Sequence, residues 1–546
     1  MQNRLYIVIC WFLVTGCATI VAPSGGPKDM MPPQIIKAEP ANYSANFQAE
    51  EIEITFNEYV ALKDLFNNMI VSPPMEPKPE IFVRGKSILI KIEAELAANT
   101  TYNINFGNAL IDITEGNSRK NFQYVFSTGT YIDSLSIAGS VIKALDRKPE
   151  EEVLVMLYEC NPEEVCDSLP YNSKPQYFTR TGKGGSFVIH NIKKSTFKLF
   201  ALRDENRNYL YDLPNERIAF HDEEIDPADS LNYELLMFEE ANPKQNLLKA
   251  WSAGVGKLKF AFKQPAGEVR ISPINFSAKK SWEIIDYSKN RDTITYWNSF
   301  GVDSLLLIIE DEKFNYTDTV KLGLKQEDET RSLSISSDHK DGASLNIDKK
   351  ITLTCSHPVS VYDLKMVKIL EQVDSATFKS IEASVSFDDP ALRKIIIAYA
   401  WKADGSYRLE IPKAAFTDIF QLQNDTFNLD FNIPEETYYG NAKLDLVVPH
   451  IRHTYIIQLI NPFDRVVHES LITPKDKLRE GLKRLAYNHL VPGKYKIKVI
   501  YDFNNNLQWD TGDYLGSQLP ERVVFYPEPI VIRSNWDMVL EWDLKE

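Results

Sequence analysis

The amino-acid sequence predicts an all-β protein made of antiparallel β-sandwiches in tandem. Apolar and polar residues alternate in runs of four to eight residues separated by Asn, Gly or Pro, a pattern typical of strands with one solvent-exposed face. Tyr and Phe are abundant, with 26 and 28 residues against 23 Gly, and aromatic residues favour strands. The 546 residues exceed what one hydrophobic core usually supports, so we expect four or five domains.

The chain begins with a segment typical of a signal peptide. Arg4 supplies a positive charge, and an apolar run at 5–14 follows it. Ten helical residues rise only about 15 Å, too little to span a hydrocarbon core of about 30 Å, so the run predicts export rather than a transmembrane helix. We expect residues 1–16 to be the signal peptide.

The stretch LVTGC, residues 13–17, spans the end of the signal peptide. Its small residue Gly16 directly precedes Cys17. This stretch resembles the lipobox of bacterial lipoproteins. The resemblance implies that Cys17 carries acyl chains such as palmitate, which anchor a protein without a transmembrane helix. Residues 17–31 would then form a lipid-anchored tether. The alternative is an ordinary signal peptide with a chance cysteine.

The residues after Cys17 bear on which membrane holds the anchor. ATIVAPS contains neither an Asp next to the cysteine, which retains enteric lipoproteins in the inner membrane, nor an acidic cluster of the kind that resembles a surface-export signal. We therefore expect an outer-membrane lipoprotein that faces the periplasm.

The first predicted domain occupies 32–130. Its motifs, in order, are EIEITFNEYV, LAANTTYNINFG, a turn in IDITEGN and a closing FQYVFSTG. They resemble the bacterial Ig-like domain first described in S-layer proteins. The resemblance implies a seven-stranded sandwich without catalytic residues.

The second predicted domain, 133–245, has a different set of motifs. A GSV opening strand, a VLVMLY strand, a TGKGGSFVIHNI hairpin and FKLFALRDENRN resemble the transthyretin-like or Cna-B-like sandwich. Phe197 stands where that family often has Tyr, and Ser195 stands where it prefers Gly. The resemblance implies a rigid spacer or a binding module.

Internal repetition organises the rest of the chain. Residues 190–212 match 488–510, and 50–60 parallel 349–359. The chain therefore predicts two pairs, each with an Ig-like and a transthyretin-like sandwich, and a β-domain of unknown family between the pairs. The three further domains are expected at 246–327, 328–434 and 436–546.

One stretch, 473–490, departs from the alternating pattern. Leu478, Leu482 and Leu485 have helical spacing, and a Thr-Pro pair before them suits the start of a helix. This spacing is consistent with a short helix before the repeated strand. The alternative is a long loop followed by a strand.

Three cysteines lie beyond the tether and its anchor. Cys160 and Cys166 are close in sequence and flank a loop, so an oxidising periplasm favours a disulfide between them, with two free thiols as the alternative. Cys355 occupies an inward-facing position of an alternating strand. We predict that it is a small buried apolar residue.

The stretch YDFNNNLQWDTGD at 501–513 has the ligand spacing of a calcium-binding turn. Numbered from Asp502, the loop places oxygen-bearing side chains that could bind calcium at positions 1, 3, 5, 9 and 12. These are Asp502, Asn504, Asn506, Asp510 and Asp513. The backbone of Gln508 would supply position 7. The first copy repeats the pattern with Asp204, Asn206, Asn208 and Asp212, but it has Asn215 at position 12.

Calcium binding competes with a metal-free interpretation of these loops. Position 6, where an EF-hand loop uses Gly for a turn with positive φ, is Leu507 in the second copy and Tyr209 in the first. Asn and Asp side chains also bond to nearby backbone N–H groups and shape turns without metal. Both hypotheses stand at this point.

Two tryptophans near the C-terminus, Trp536 and Trp542, have the even spacing that places two residues on one face of a strand. Aromatic residues in this position are most often part of a core. The alternative is a platform that binds carbohydrate or a protein partner.

Charge and motifs exclude several functions. The net charge of −15 opposes nucleic acid as a partner, because nucleic-acid binders carry basic stripes. A Ser nucleophile elbow, HExxH, a phosphate loop and CxxC are all missing from the sequence, and the eight His are dispersed, so we predict that the protein is not an enzyme. We expect a non-catalytic multidomain scaffold or protein-interaction module with envelope protein partners. The alternative is a surface-exposed glycan-binding or adhesive protein.

Overall fold

A computed structural model describes most of the chain, namely residues 28–160, 166–229, 231–241, 244–274, 283–298, 302–324, 332–374, 377–449 and 452–544. These residues contain forty-one strands, and the two α-helices among them, α1 (Leu65–Asn68) and α2 (Leu169–Asn172), have four residues each. The protein is all-β, with tandem β-sandwich domains, as the alternating pattern predicts. Within the same residues, no helix has the length and apolar character needed to cross a membrane.

Six short 3-10 turns complete the helical structure of the described ranges. They lie at Cys166–Ser168, Lys183–Gly185, Pro227–Asp229, Glu312–Phe314, Leu364–Met366 and Glu436–Tyr438.

The first Ig-like segment is a sandwich whose two main sheets contain seven strands. Its strands are β1 (Ile35–Glu39), β2 (Glu51–Phe56), β3 (Val60–Leu62), β4 (Ile70–Ser72), β5 (Glu80–Arg84), β6 (Ser87–Lys91), β7 (Thr101–Asn105), β8 (Leu110–Asp112) and β9 (Gln123–Ser127). The sheets have the orders β1-β2-β6-β5 and β4-β7-β9, and β3 pairs with β8. Ile52, Ile54 and Phe56 of β2 are fully buried, so the alternation in EIEITF places the core.

The segment predicted to be transthyretin-like, 133–245, is called the first transthyretin-like segment below. It forms a seven-stranded sheet with the order β12-β11-β14-β15-β16-β10-β13. These strands are β10 (Leu135–Lys143), β11 (Leu154–Glu159), β12 (Tyr177–Arg180), β13 (Ser186–Ile192), β14 (Phe197–Leu202), β15 (Arg217–Phe220) and β16 (Asn232–Glu239). Gly139 lies where the backbone of β10 comes close to other strands. A Cβ at this position would lie 2.1 Å from the carbonyl oxygen of Tyr233, so the opening strand requires glycine here.

The middle segment has two sheets and a core of its own. Its strands are β17 (Leu247–Gly254), β18 (Lys257–Phe262), β19 (Val269–Pro273), β20 (Ile284–Tyr287), β21 (Thr293–Trp297), β22 (Ser304–Asp311) and β23 (Tyr316–Gly323). The sheet orders are β17-β18-β21-β20 and β19-β22-β23. Leu305, Leu307 and Ile309 alternate along β22 and are fully buried in this core.

The second Ig-like segment repeats the sheet orders of the first and adds one strand. It comprises β24 (Ile335–Ser337), β25 (Ile351–Cys355), β26 (Val359–Tyr362), β27 (Lys368–Gln372), β28 (Phe378–Ile381), β29 (Ser384–Phe387), β30 (Lys394–Ala398), β31 (Ser406–Ile411), β32 (Phe416–Asp418) and β33 (Phe427–Asn432). The sheets have the orders β24-β25-β30-β29 and β28-β27-β31-β33, and β26 pairs with β32. The added strand is β28, which pairs with the outer edge of β27.

The second transthyretin-like segment repeats most of the strand pairing of its counterpart, but its described strands form two main sheets where the first segment has one. It comprises β34 (Gly440–Val447), β35 (Thr454–Ile460), β36 (Val466–Ile472), β37 (Leu482–Leu490), β38 (Gly493–Asp502), β39 (Val523–Phe525), β40 (Ile530–Ile532) and β41 (Asp537–Asp543). The sheets have the orders β36-β35-β38-β39 and β37-β34-β41, and β40 pairs with β38.

Of the two interpretations of 473–490, the loop followed by a strand is confirmed and the helix is wrong. Residues 482–490 form β37, which pairs with β34 from Val447 to Gly440. Ladder hydrogen bonds along this strand, together with burial of Tyr487 and Leu490 in the core, outweigh a helical spacing of three leucines.

The chain divides into two compact units. The first contains the residues up to Val141 together with Pro149–Asp212 and Ala219–Leu235. The second consists of Ile142–Lys148, Leu213–Ile218 and Leu236–Glu546. The middle segment and the second Ig-like and transthyretin-like segments therefore belong to one unit, and contacts among them are described below.

Trp297, which ends β21, is the centre of a joint between the middle segment and the second Ig-like segment. Its indole is fully buried, the guanidinium of Arg393 lies 5.2 Å from its ring, and His357 packs against it edge-on at 5.6 Å. Arg393 also forms an ion pair with Asp286, while His357 Nδ1 lies 2.8 Å from Oδ2 of the fully buried Asp418. The joint therefore combines apolar burial with paired charges.

His489, in β37, connects the two last segments. Its Nδ1 lies 2.8 Å from Asp348 Oδ2, and its Nε2 lies 3.0 Å from Glu436 Oε1. Its carbonyl oxygen accepts a hydrogen bond from Asn346 Nδ2 at 3.0 Å. Desolvation lowers the pKa of His489, but the hydrogen bonds and charges of the two carboxylates outweigh it, and the pKa is raised above its ordinary value of 6.5.

This joint is expected to weaken as pH rises. Because the pKa of His489 is higher in the folded than in the unfolded chain, its stabilising contribution is complete below about pH 6.5 and is lost as pH rises through the raised pKa. His489→Gln should therefore lower the urea midpoint of the last domain at about pH 5.5 and have little effect at about pH 8.5. Because both carboxylates are more than half exposed, the effect should stay below about 1 kcal/mol.

The matched control is His468→Gln, which changes a nearby histidine whose ring lies 5.6 Å from that of Tyr487 at an angle of 54°. Hydrogen exchange resolved by peptide would assign the unfolding to residues 436–544. An equal loss of stability at both pH values in the His489 variant would contradict this role of the imidazolium.

Candidate calcium-binding loops

Each Asp/Asn loop begins at the end of a buried central strand, β14 in the first copy and β38 in the second. Asp502, the last residue of β38, is fully buried. Its Oδ1 accepts the backbone N–H of Asn506 at 3.1 Å, and its Oδ2 accepts that of Leu507 at 2.9 Å. The carboxylate at position 1 therefore folds the loop back on itself.

The first copy has the same hydrogen bonds at the corresponding positions. Asp204 Oδ1 accepts the N–H of Asn208 at 3.2 Å, and Asp204 Oδ2 accepts the N–H of Tyr209 at 2.9 Å. The Asn at position 3 accepts the N–H of position 5 in both loops, through Asn206 at 3.2 Å and Asn504 at 3.0 Å. The repeated residues thus produce a repeated conformation.

The carboxylate at position 9 is the point on which the amide side chains converge. Asn504 and Asn506 both donate from Nδ2 to Asp510 Oδ2, at 2.5 and 2.7 Å. In the first copy, Asn206 and Asn208 donate to the two carboxylate oxygens of Asp212 at 2.9 and 2.7 Å. Positions 3, 5 and 9 therefore meet at one place, as the calcium spacing predicts.

The sharp turn at position 6 forms without glycine. Leu507 and Tyr209 both have φ of 66°, and the residues at position 4, Asn505 and Arg207, have φ of 62° and 61°. Leu507 is half-exposed, so its side chain meets no obstacle in this conformation. The doubt raised by the missing Gly is thereby removed, because the hydrogen bonds of position 1 hold the left-handed turn.

Two predicted ligands of the second loop have other contacts. The N–H of Gln508 donates to Asn506 Oδ1 at 2.8 Å. The carboxylate of Asp513 accepts the N–H of Gly516 at 3.0 Å, and the backbone of Asp513 pairs with that of Gln518. Asp513 therefore closes the following turn, and nothing in these contacts brings it to the other ligands.

Glu521 is a residue of this site that the spacing argument missed. It is 6% exposed, and its carboxylate accepts the N–H groups of Phe503 at 2.8 Å and Asp510 at 3.0 Å. Burial raises the pKa of Glu521, and the negative charges of Asp510 and Asp502 raise it further. The signal was present in the sequence, because ERVVF follows this loop as ERIAF follows the first.

The residues present fit calcium in their chemistry. In the second loop the amides of Asn504 and Asn506 converge on the carboxylate of Asp510, while Asp502 accepts backbone N–H groups of the same loop and Glu521 accepts the N–H of Asp510. Rotation of each amide by half a turn would direct its oxygen towards Asp510 and supply the hard oxygen ligands that calcium prefers. The rotation would also break the hydrogen bonds that these oxygens accept from the N–H groups of Asn506 and Gln508. The hydrogen bonds also satisfy the loop as a metal-free turn, so both hypotheses remain consistent with its geometry.

The remaining predicted sites lie elsewhere. In the structure Cys160 and Cys166 form a disulfide, with Cα atoms 5.5 Å apart. Cys355 is fully buried, which confirms its predicted position, and burial raises the pKa of its thiol to about 12. Cys17 lies outside the described residues.

The two C-terminal tryptophans do not share a face of one strand. Trp542 lies in β41 and packs against the core, with its ring 5.5 Å from that of Tyr526. Trp536 precedes β41 and is 57% exposed. The core interpretation therefore holds for Trp542, and Trp536 is a surface residue.

Clusters of titratable residues are scarce in the described ranges. One group there brings the ligand atoms of three His, Cys, Asp or Glu side chains within 4.8 Å of one another. It consists of Cys160, Cys166 and Glu224, and the sulfurs of its two cysteines are bonded to each other. Two histidines, at positions 450 and 453, are close together in the sequence. Residue 450 lies outside these ranges.

The comparison with known families identifies the first domain. Residues 29–128 match the bacterial Ig-like domain. Ig-like domains are generally non-catalytic and are typical of surface or adhesion-type scaffold proteins. No curated protein matches the chain.

Solved structures of tandem Ig domains are similar at very low identity. The N-terminal four Ig domains of Dscam1 isoform 7.44 are 8% identical, with 74% of this chain and 100% of that chain covered and a TM-score of 0.14. Domains 1–6 of the surface layer protein SbsC are 9% identical, with 92% and 67% covered and a TM-score of 0.14. At these values neither likeness carries an argument about the function of this protein.

The left-handed turn generates a test of the loop. A non-glycine residue with positive φ costs roughly 1 kcal/mol, and glycine does not bear that cost. Leu507→Gly should therefore leave stability unchanged or raise the free energy of unfolding by up to about 1 kcal/mol. The control Leu515→Gly changes an exposed leucine without positive φ and should destabilise by about 0.5 kcal/mol. Urea denaturation that ranks the two variants in the opposite order would contradict the turn geometry.

Proposed function

We propose that this protein is a non-catalytic outer-membrane lipoprotein that faces the periplasm and acts as a multidomain scaffold for envelope proteins. The joint at Trp297 is the observation that carries the scaffold role. Neighbouring domains usually move relative to one another unless a substantial apolar interface holds them. A fully buried indole with Arg393 and His357 against it supplies such an interface. A scaffold needs that fixed geometry, because it must present several surfaces at set distances.

The partners proposed are proteins of the envelope, and the acidic chain disfavours nucleic acid. Crosslinking in native outer membranes followed by affinity purification tests this role. A stoichiometric envelope protein that copurifies would support a scaffold, whereas recovery of the protein alone would count against it.

A second candidate is a surface-exposed glycan-binding or adhesive protein. It is favoured by the typical use of Ig-like domains at surfaces and by the exposed Trp536. Protease digestion of intact cells separates the two candidates. Cleavage of the chain on intact cells would support the surface location, and protection until the outer membrane is opened would support the periplasmic one.

The proposed anchor is lipid on Cys17. Cys17→Ser should abolish incorporation of an alkyne-labelled palmitate and release the protein from the membrane fraction, because a thioether-linked lipid requires the thiol. Cys10→Ser is the matched control, since Cys10 lies in the proposed signal peptide and should leave labelling unchanged. Continued labelling and membrane retention of the Cys17 variant would end the lipoprotein proposal.

The two Asp/Asn loops are proposed to bind calcium and to stiffen the transthyretin-like domains. Calcium at a hundredfold excess over Kd should stabilise a single-site domain by about 2.7 kcal/mol. The double variant Asp212→Ala/Asp510→Ala should lose this stabilisation, because it removes the carboxylate at which each loop converges. Asp513→Ala should keep it, since Asp513 serves the next turn. An unchanged melting temperature of the wild-type protein in millimolar calcium would favour the metal-free interpretation.

A further inference from the structure

The two transthyretin-like segments contain equivalent edge strands. In the first copy β12 pairs with β11 at the end of its sheet, and in the second copy β36 pairs with β35 at the end of its sheet. An edge strand presents a row of backbone N–H and C=O groups that require partners. How each copy treats this edge can therefore be compared directly.

In the first copy the edge is covered by the first Ig-like segment, within the same unit. Ser72, the last residue of β4, accepts the N–H of Phe178 at 3.2 Å through Oγ and lies 3.4 Å from the carbonyl oxygen of Gln176, to which it donates. Tyr177 and Phe178 are 3% and 6% exposed. A short β-strand of a neighbouring domain thus satisfies the edge of β12.

In the second copy this arrangement is blocked. The Ig-like strand equivalent to β4 is β27, and β28 already pairs with its outer edge. Throughout the described part of the chain, β36 pairs with β35 and with no other strand. In the first copy the edge strand β4 covers β12, whereas its equivalent β27 lies inside its own sheet. The outer edge of β36 is therefore left open among the described residues.

The repeat identifies which backbone groups of β36 face outward. Phe178 is in register with Phe200 across β11, and Glu469 is in register with Lys498 across β35. Phe200 and Lys498 correspond in the sequence repeat. The N–H of Phe178 faces outward to Ser72, so the N–H of the equivalent Glu469 also faces outward, to the open side of β36. The N–H groups of Val467 and Leu471, two residues before and after Glu469, face the same side.

The open edge also carries apolar side chains. Val466, Val467 and Leu471 are 47%, 42% and 37% exposed, and Phe463 in the preceding turn is 81% exposed. Val467 and Phe463 line a cavity of about 430 Å³ whose wall also contains Tyr495 and the polar side chains of His489 and Asp348. An exposed apolar edge beside a cavity with room for a side chain is a surface suited to an extended peptide.

We propose that β36 binds an extended segment of another envelope protein, which joins the sheet as an additional strand. This inference rests on the proposed scaffold function and names the binding mode. Two copies of this chain are disfavoured as the occupant. A two-fold antiparallel pairing places one residue opposite its own copy, and at the centre of β36 that residue is Glu469, so two carboxylates would meet.

The strand has the chemistry to select its partner. Val467, Glu469 and Leu471 follow the period of two and face the same side of the sheet, so the bound segment should present apolar, basic and apolar residues at alternating positions. The apolar residue opposite Val467 would enter the cavity. Glu469 is held towards this face by a hydrogen bond from Gln458 Nε2 at 2.7 Å.

Site-specific photocrosslinking in native envelopes tests the proposal with the full chain. A photoreactive residue is placed at Val467 in one variant and at Leu471 in another, and the sites on the captured protein are mapped by mass spectrometry. Strand pairing predicts that both variants capture the same protein, at sites four residues apart. The control position is Glu53, which is exposed on β2, a strand that is paired on both edges.

Two substitutions at one residue separate backbone pairing from charge. Glu469→Pro removes an outward N–H and should reduce the crosslinking yield at Leu471 by about tenfold, while an edge strand tolerates the proline. Glu469→Gln keeps the N–H and should reduce the yield only about two- to fivefold. Thermal melting of each variant confirms that the domain is folded.

The outcomes distinguish this proposal from the scaffold function. A partner that copurifies but crosslinks no better from β36 than from Glu53, or at scattered sites, overturns strand addition and leaves the scaffold role intact. Crosslinks to 466–472 of a second copy overturn the proposal in favour of self-association. If no envelope protein copurifies at all, both proposals fail.

Discussion

Unpaired backbone groups at sheet edges are the constraint on which this architecture depends. A sandwich buries its apolar faces internally, but the outermost strands still present N–H and C=O groups that water or another strand must satisfy. In the first pair of domains the edges of β4 and β12 meet through Ser72. In the second pair β28 covers β27, and among the described residues β36 pairs with β35 alone. One inserted strand therefore turns an internal contact into a free surface.

The Asp/Asn loops follow a different physical rule. The carboxylate at position 1 accepts two backbone N–H groups, and this holds the left-handed turn at position 6 whether the residue there is Leu507 or Tyr209. The amides at positions 3 and 5 donate to the carboxylate at position 9. These hydrogen bonds satisfy the loop as a turn, while its carboxylates and amides are side chains suited to a cation. A stable turn and a calcium site are therefore compatible states of one loop.

Joints between domains explain how separate cores act together within the second unit. Trp297 brings apolar burial, and the ion pair of Arg393 with Asp286 orients the contact. His489 instead depends on its charge, because two carboxylates face its ring. Apolar burial therefore supports the first joint, while the second depends on a charge that is lost as pH rises.

Sequence alone determined the all-β class, the paired repeats and the recurrence of Asp and Asn at positions 1, 3, 5 and 9 of both loops, because alternation and duplication are local properties of the chain. Burial of Cys355 followed from the same alternation. The tertiary structure decided what depends on distant residues. It formed β37, whose ladder with β34 no local spacing reveals, where the leucine spacing suits a helix. It brought the carboxylate of Glu521 to the N–H of Asp510 and engaged Asp513 in the following turn. It also decided which strand edge is covered, since that depends on whether a neighbouring domain supplies a free strand.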